Sequence, residues 1–189
     1  MTADCEGFLY PEVNEEQCMD CGLCETVCPM LHKPKQHELV AVYGAKNKDD
    51  AVRFTSSSGG MFTLLAEEVL RQGGVVAGAA LDEKLAVRHV LVDNAVDLFK
   101  LRGSKYVQSE IGTIYREVRQ QLLAGKKVLF SGTPCQIAGL KGYLVKPFAN
   151  LLTVDVVCHG VPSPKVYRKH LAELGEEAGE PVVQVRFRD

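Results

Sequence analysis

No stretch of this 189-residue sequence is apolar enough over a sufficient length to cross a lipid bilayer. Its longest uninterrupted apolar runs, such as residues 75–81, fall far short of the ~20 residues that a membrane helix needs. The N-terminus also lacks the basic region and apolar stretch of a secretory signal. We therefore expect a protein of the reducing cytoplasm, in which the seven cysteines are thiolate ligands, reactive thiols or core residues rather than disulfides.

Basic residues are absent from the first 32 positions. These positions hold seven Asp and Glu residues, and all 22 Lys and Arg residues follow them. An acidic head of this kind attracts basic protein partners and disfavours nucleic acid, although an ordinary solvated surface explains the charges equally well. A protein partner is therefore expected, and nucleic acid is not.

Several common motifs of cofactor binding and catalysis are also absent. The sequence has no G-x-G-x-x-G, no Walker lysine loop and no nucleophile elbow. His159 is as compatible with a structural role as with a functional one. The other histidines show neither metal nor triad spacing, and they are His32, His37, His89 and His170. No residue is therefore assigned as catalytic.

Four cysteines lie close together near the N-terminus. They have the C-x2-C-x2-C-x3-C-P spacing of bacterial ferredoxins and are Cys18, Cys21, Cys24 and Cys28. Zinc is the alternative, but zinc sites usually place two cysteine pairs on separate knuckles. The spacing therefore predicts that these four thiolates bind a 4Fe–4S cluster, which moves single electrons.

The fourth ligand of this cluster is open. In two-cluster ferredoxins the last cysteine of each run binds the other cluster, and this sequence has no second C-x2-C-x2-C run. Either an upstream motif is missing from this chain, or Cys5 completes the cluster, or Cys28 folds back onto its own cluster. We favour the first explanation and expect the chain to be a fragment.

A polar link before residue 38 divides the chain into a 4Fe–4S segment over residues 1–37 and an α/β domain over residues 38–189. In the second part, apolar runs predict strands over 39–45, 75–81, 85–92, 128–130, 151–157 and 182–187. Helices are predicted after the serine–glycine run 56–60, from Ser109 to Gly125, from Thr133 and from Ser163. The first of these ends at Gly73.

Strand and helix alternate after residue 128, which favours parallel pairing with right-handed crossovers. We therefore expect an α/β fold, with a small ferredoxin-like 4Fe–4S segment followed by a domain with a mixed, largely parallel sheet. The last predicted strand has no terminating turn before the sequence stops, which again indicates a fragment.

Two single cysteines follow predicted strands. Cys135 and Cys158 both fall at the carboxyl edge of the expected sheet, where open α/β folds bind ligands. A helix N-terminus also favours the thiolate of a cysteine in its first turn. The alternative for each is a small buried apolar residue.

Two loops have a composition suited to binding phosphate. Residues 56–60 offer hydroxyls and free backbone N–H groups at a helix start, although an ordinary N-cap explains them equally well. Arg102, Lys105 and Tyr106 combine two cations with an aromatic ring in a loop that could hold a phosphorylated planar cofactor. A solvated loop is the default alternative.

Five motifs in order resemble the coenzyme F420 hydrogenase/dehydrogenase beta subunit family. They are residues 18–29, 57–60, 101–107, 131–136 and 156–162. The resemblance covers essentially the whole chain and is strongest to bacterial members with a ferredoxin-type head. It implies FAD and 4Fe–4S clusters, and electron transfer between a two-electron donor, such as reduced coenzyme F420, and one-electron carriers.

The resemblance also implies which residues lie near the flavin. These are Ser57, Ser58, Gly59, Gly60, Arg102, Lys105, Tyr106, Thr133, Cys135 and Gln136, with Cys135 and Cys158 near the flavin or near a cluster. The sequence departs from the family pattern because it lacks the cysteine run that usually stands upstream. A complete flavin site and a full pair of clusters therefore need more than this chain.

The sequence leads to three functional hypotheses. The first is an iron–sulfur flavoprotein oxidoreductase, because a flavin and a cubane cluster together convert two-electron into one-electron transfer. It requires flavin, a small redox substrate and a redox partner protein or subunit. The second is a non-catalytic ferredoxin-type electron-transfer subunit without flavin, and the third is a zinc-bound structural module. Bound flavin distinguishes the first two.

Overall fold

Short helices and strands alternate along most of the chain, and the computed structural model describes residues 1–33 and 38–187. The strands are β1 (Thr2–Ala3), β2 (Leu9–Tyr10), β3 (Val75–Leu81), β4 (Val87–Val92), β5 (Val128–Gly132) and β6 (Leu151–Asp155). The helices are α1 (Leu23–Thr26), α2 (Asp50–Phe54), α3 (Met61–Arg71), α4 (Ile114–Leu123), α5 (Pro134–Leu144) and α6 (Pro164–Ala178), with a 3₁₀ helix over Asp97–Leu101. In the part of the chain that the structure describes, no helix combines the length and apolar character needed to cross a membrane.

Four strands form one sheet in the order β4-β3-β5-β6. The pairs β3–β5 and β5–β6 are parallel, whereas β3 and β4 form an antiparallel hairpin. The apolar run of β3 is almost continuously buried, as expected of a strand covered on both faces. The predicted α/β class with a mixed, largely parallel sheet is confirmed.

Helices cover both faces of this sheet. On one face, α4 and α5 pack over Phe130, which has no exposed surface. On the other face, Ala66 of α3 and Leu98 of the 3₁₀ helix are fully buried beside Leu129. Because successive residues of a strand point to opposite faces, β5 is held from both sides. The residue that follows β5 is therefore attached to a strand that is packed on both faces.

Local sequence explains where several helices begin and end. Thr133 and Gln136 form a capping box at the start of α5, and the Thr133 N–H donates to Gln136 Oε1 at 2.9 Å. Ser163 Oγ accepts the Val166 N–H at 3.2 Å and caps α6. Gly125, with φ of 78°, follows the end of α4. These predicted helix ends are confirmed.

Two predicted strands are wrong. Residues 39–45 and 182–187 are irregular, and Val40 and Val183 are 97% and 85% exposed. A β-favouring sequence becomes a strand only where it packs and pairs with a neighbour, and in the described residues the main sheet stops at β4 and β6. The third parallel strand expected after α6 is therefore absent from that part of the chain.

Several predicted boundaries also change. The strand predicted over 85–92 begins at Val87, because the Asp82 carboxylate accepts the N–H groups of Lys84 and Ala86 and keeps this stretch in the hairpin turn. The strand predicted over 151–157 ends at Asp155. Ser109 does not cap α4, which begins five residues later behind Thr113. The β1–β2 hairpin and α2 were not expected from the sequence.

Candidate functional site

The cysteine segment, residues 18–29, is a surface loop around the single-turn helix α1. Cys18, Cys21 and Cys24 are exposed, and Cys28 is half-buried. Gly22 enters the helix with φ of 65°, a conformation that favours glycine. Within residues 1–33 and 38–187, no three His, Cys, Asp or Glu side chains lie close enough together to hold a metal ion. A cluster would therefore have to draw these thiols together.

The donor set of the cysteine segment fits an iron–sulfur cluster. All seven cysteines of the chain are free thiols, and soft thiolates are the ligands that such clusters select. None of residues 18–29 is fully buried, so the loop can adjust without opening the core. Metal binding and local folding are commonly coupled in such segments.

Two loops predicted to lie near a flavin meet in the structure. The backbone N–H of Ser104 donates to Ser57 Oγ at 2.6 Å. In the same loop, Arg102 Nε donates to Thr63 Oγ1 of α3 at 3.2 Å. No side chain caps the N-terminus of α3, so its backbone N–H groups remain available at this meeting point. The two loops therefore bring serine side chains and the Arg102 guanidinium close to the positive N-terminus of α3.

Two glycines shape the loop that precedes α3, whereas Ser58 is exposed. A Cβ at Gly59 would stand 2.8 Å from the Ala45 carbonyl oxygen, and Gly60 has φ of 73°. The backbone N–H of Asn47 donates to the Gly59 carbonyl at 2.6 Å. Both glycines are therefore required by the fold itself, and a ligand is not needed to explain them.

Lys105 is a cation without a carboxylate partner among the described residues. Its Nζ donates to the carbonyl groups of Lys100 at 3.1 Å and Arg102 at 2.9 Å. Burial lowers the pKa of Lys105 to about 8. The neighbouring ring of Tyr106 is 51% exposed and meets Phe187 edge-on at 6.1 Å. This loop therefore offers an anion an uncompensated positive charge beside an aromatic face.

His89 of β4 lies between Ser109, which follows this loop, and Ser131 of β5. Its Nδ1 lies 2.7 Å from Ser109 Oγ, and its Nε2 lies 3.0 Å from the Ser131 carbonyl oxygen. A carbonyl only accepts, so Nε2 carries the proton and Nδ1 accepts from the serine hydroxyl. Burial lowers the pKa of His89, and the nearby Lys105 ammonium lowers it further. His89 is therefore neutral, and its two hydrogen bonds connect β4 to Ser109 and to Ser131.

Sequence reasoning missed this role for His89, because neither serine lies at a recognisable spacing from it. The one local sign was a histidine inside an apolar strand, with its ring stacked on Phe130 at 5.1 Å in the structure. Ser109, predicted as a helix cap, is instead the buried partner of the imidazole.

The first turn of α5 presents a thiol to solvent. Cys135 is exposed, and its Sγ lies 3.1 Å from Thr133 Oγ1. Behind it, the Tyr115 hydroxyl donates to the Gln136 carbonyl at 2.7 Å, and burial raises the pKa of Tyr115 to about 12. The alternative that Cys135 is a small buried core residue is therefore wrong.

Cys158 lies in the loop after β6 and is also exposed, so the buried alternative is wrong for it as well. The Gly160 N–H donates to its Sγ at 3.4 Å. Because β5 and β6 are neighbouring parallel strands, Cys135 and Cys158 follow the same edge of the sheet, as predicted. A cavity of about 620 Å³ lies elsewhere, between α6 and the turn of the β3–β4 hairpin, and is not lined by any of the predicted site residues.

Comparison with known proteins decides the family. Residues 42–115 match the N-terminal part of the coenzyme F420 hydrogenase/dehydrogenase beta subunit, and residues 125–189 match its C terminus. The chain belongs to this beta subunit family. Residues 11–30, which include all four cysteines of the cysteine segment, match the 4Fe–4S binding domain. The beta subunit family resemblance and the N-terminal 4Fe–4S segment expected from the sequence are both confirmed.

Two relatives of this chain are informative. The coenzyme F420-dependent sulfite reductase of Methanocaldococcus jannaschii is 27% identical over 163 residues, which are 85% of this chain and 23% of that protein. A chain of the F420-reducing [NiFe] hydrogenase complex from Methanosarcina barkeri superposes with a TM-score of 0.52 at 20% identity. That superposition covers 69% of this chain and 48% of the other, and it shows the fold alone.

Proposed function

We propose that this chain is part of an iron–sulfur flavoprotein oxidoreductase, in which electrons pass between a two-electron donor and one-electron carriers. The observation that carries the proposal is the meeting of residues 57–60 and 102–106 at the uncapped N-terminus of α3, in a chain with a 4Fe–4S segment. The donor is coenzyme F420 or a similar carrier, by analogy with the two relatives, which are named for that coenzyme.

The loops at α3 would bind the anionic and aromatic parts of the flavin nucleotide. Backbone N–H groups at the helix start and the Arg102 guanidinium suit the pyrophosphate. Tyr106 offers a ring for stacking. FAD, when bound, accepts a hydride and releases electrons one at a time. No carboxylate in the described residues pairs with Lys105, whose Nζ donates only to backbone carbonyl groups. Its positive charge would therefore be available to stabilise the negative charge that a flavin gains on reduction.

The turn after β5 would close the other side of the same site. His89 ties Ser131 to β4 and lies near enough to Lys105 for the two to repel each other when both are charged. Thr133 joins β5 to α5, and Cys135 and Gln136 lie in the first turn of α5. We therefore place these three residues beside the flavin, with Cys158 on the adjacent strand end.

In the cysteine segment, the cluster ligands we propose are Cys18, Cys21, Cys24 and Cys28. If Cys28 serves a second cluster, as in two-cluster ferredoxins, Cys5 or a cysteine outside this chain supplies the fourth ligand. We place the division between the cluster-binding part and the flavin-binding part at residues 37 and 38. The acidic residues of the first part suit a basic redox partner protein or subunit.

An anaerobic absorption spectrum of the purified holoprotein, taken before and after dithionite, tests the proposal. We expect flavin bands above a broad iron–sulfur absorption, bleaching of both on reduction, and FAD in the supernatant after denaturation. An iron–sulfur absorption without any flavin, in the full-length protein, would reject the flavoprotein. A colourless protein that contains zinc would reject the electron-transfer function altogether.

A second candidate is an electron relay that contains no flavin. Neither the cavity at α6 nor one of about 420 Å³ beside Arg119 and Lys146 is lined by the proposed flavin residues, and the relay assigns no cofactor to those residues. The two candidates differ in the same spectrum, since only the relay lacks releasable FAD.

A further inference from the structure

Gly142 lies in the last turn of α5. Glycine in a helix is less favourable than alanine by up to roughly 1 kcal/mol. A close contact that only glycine permits would explain why it occurs here. A Cβ at this position would stand 2.8 Å from the carbonyl oxygen of Val27 and 3.4 Å from the Val27 Cβ. The close neighbour is backbone, which cannot rotate away as a side chain can.

Val27 belongs to the cysteine segment, so this contact joins the segment to the α/β part of the chain. Apart from Gly22, the half-buried residues of the segment are Val27, Cys28 and Pro29, whereas the rest are exposed. The part of the segment that loses solvent exposure is therefore the part that reaches α5.

The contact lies on the outward face of α5. Ile137, Leu140 and Leu144 are buried against the sheet on the opposite face. Gly142 follows Cys135 by seven residues, nearly two full turns, so the two share a face and stand about 10 Å apart along the helix axis. The cysteine segment and the exposed Cys135 thiol are consequently arranged along one side of a single helix.

We propose that Gly142 is a docking position, at which the cysteine segment packs on α5 through Val27 and is fixed in line with Cys135. The absent Cβ permits a backbone-to-backbone approach that no other residue type allows. Under the proposed function, on which this last step rests, α5 is then the element that sets the distance between the 4Fe–4S segment and the flavin edge.

Hydrogen–deuterium exchange on the anaerobic holoprotein tests the docking. In Gly142→Ala the amides of Val27, Cys28 and His32, each bonded within the segment or just beyond it, should exchange about tenfold faster or more, while β5 amides keep their protection. Lys141→Ala is the matched control, because Lys141 is exposed on the same helix and should leave all these rates unchanged.

A variant of the segment keeps the test independent of helix α5. Val27→Asp keeps the backbone and Cβ of residue 27 but places a charged carboxylate beside α5, and without altering the helix it should accelerate the same three amides. Unchanged segment rates in either variant would overturn the proposal. Equal acceleration of the β5 amides in Gly142→Ala would also overturn it, since the glycine would then serve the sheet domain alone.

The electron-transfer consequence has its own readout. In Gly142→Ala the iron–sulfur absorption should bleach more slowly after rapid reduction of the flavin, and in Lys141→Ala it should bleach at the wild-type rate. If the purified protein holds no flavin, the proposed function fails, but the exchange experiment still decides whether Gly142 docks the segment. If the segment amides exchange faster in Gly142→Ala but bleaching keeps the wild-type rate, α5 does not set the electron-transfer distance and this part of the proposal is overturned.

Discussion

The cysteine segment and the β5 region are stabilised in different ways. Leu129 and Phe130 of β5 have no exposed surface and pack against helices on both faces of the sheet. In residues 18–29, by contrast, none is fully buried, and the loop is held by a few backbone hydrogen bonds and its contact with α5. The sheet therefore folds by apolar burial, whereas we expect the segment to depend on its metal cluster and on the proposed docking.

The largest expected effect comes from removing a thiolate of the segment. Cys21→Ser should abolish the cluster, because a serine hydroxyl is a poor replacement for a soft thiolate ligand. Iron and acid-labile sulfide should fall to background, while the circular dichroism of the sheet domain stays as in the wild type. Iron analysis and far-ultraviolet spectra of the anaerobically purified variant check both parts.

Cys5→Ser is the matched control for that substitution. Cys5 lies in the turn of the β1–β2 hairpin, where its carbonyl oxygen accepts from Lys165 Nζ at 3.1 Å. We expect the variant to retain its full iron content. Loss of iron equal to that of Cys21→Ser would instead identify Cys5 as the fourth ligand.

In the core, by contrast, a substitution should lower the stability of the sheet domain. Phe130→Ala removes a fully buried ring that packs against His89 and Tyr115, and such truncations cost about 3–5 kcal/mol. The sheet domain should unfold at much lower denaturant concentration. Urea titration followed by circular dichroism measures this loss.

Leu23→Ala provides the comparison within the cysteine segment. Leu23 is 50% exposed, so its truncation should change the free energy of unfolding by no more than about 0.5 kcal/mol. A loss close to that of Phe130→Ala would mean that the segment contributes to the same cooperative core, and the contrast between the two regions would fail.

The sequence predicts the regions whose determinants are local. The spacing of four cysteines, the helix start at Thr133 and the glycine after α4 each depend on residues within about a dozen positions, and all three are predicted correctly. The strands over 39–45 and 182–187 were not, because β-favouring composition does not specify a pairing partner. His89 shows the same limit, since its partners Ser109 and Ser131 are 20 and 42 residues away.

The candidate site residues show the same difference between local and long-range determinants. Ser57 and the 102–106 loop could be suspected separately from composition, but the bond from Ser104 to Ser57 spans 47 residues and only the fold reveals it. The approach of Val27 to Gly142 is a still longer-range contact. Local sequence thus predicts which residues could bind a cofactor, whereas only the packed fold shows which of them lie together.

A smaller effect is expected at Lys105. If its ammonium holds an anionic part of the flavin, Lys105→Met should weaken FAD binding by about tenfold or more, since a hydrogen bond to a charged group contributes about 1.5–3 kcal/mol. Wild-type affinity should also decline as pH rises above about 8, where burial leaves the free lysine half-protonated, and this decline should vanish in the variant. Fluorescence titration of the apoprotein with FAD at several pH values measures both.

Lys100→Met is the control for Lys105, because Lys100 is exposed and pairs with Asp97. It should bind FAD with wild-type affinity and keep the wild-type pH profile. Identical weakening in both variants would point to general electrostatic attraction and would remove Lys105 from the proposed site.

The smallest effect on stability is expected from His89, the neutral imidazole that connects Ser109 and Ser131. Burial holds the pKa of this imidazole below its ordinary value of 6.5, so below that pH the unfolded chain takes up a proton that the folded chain refuses. The contribution of His89 is therefore present above pH 6.5 and is lost as pH falls toward the lowered folded-state pKa. His89→Gln retains an N–H donor for the Ser131 carbonyl but cannot be protonated, so it should flatten the stability profile between pH 7 and pH 5. Urea midpoints measured beside the exposed His159→Gln, which should follow the wild-type profile, check the assignment, and equal slopes in all three proteins would contradict it.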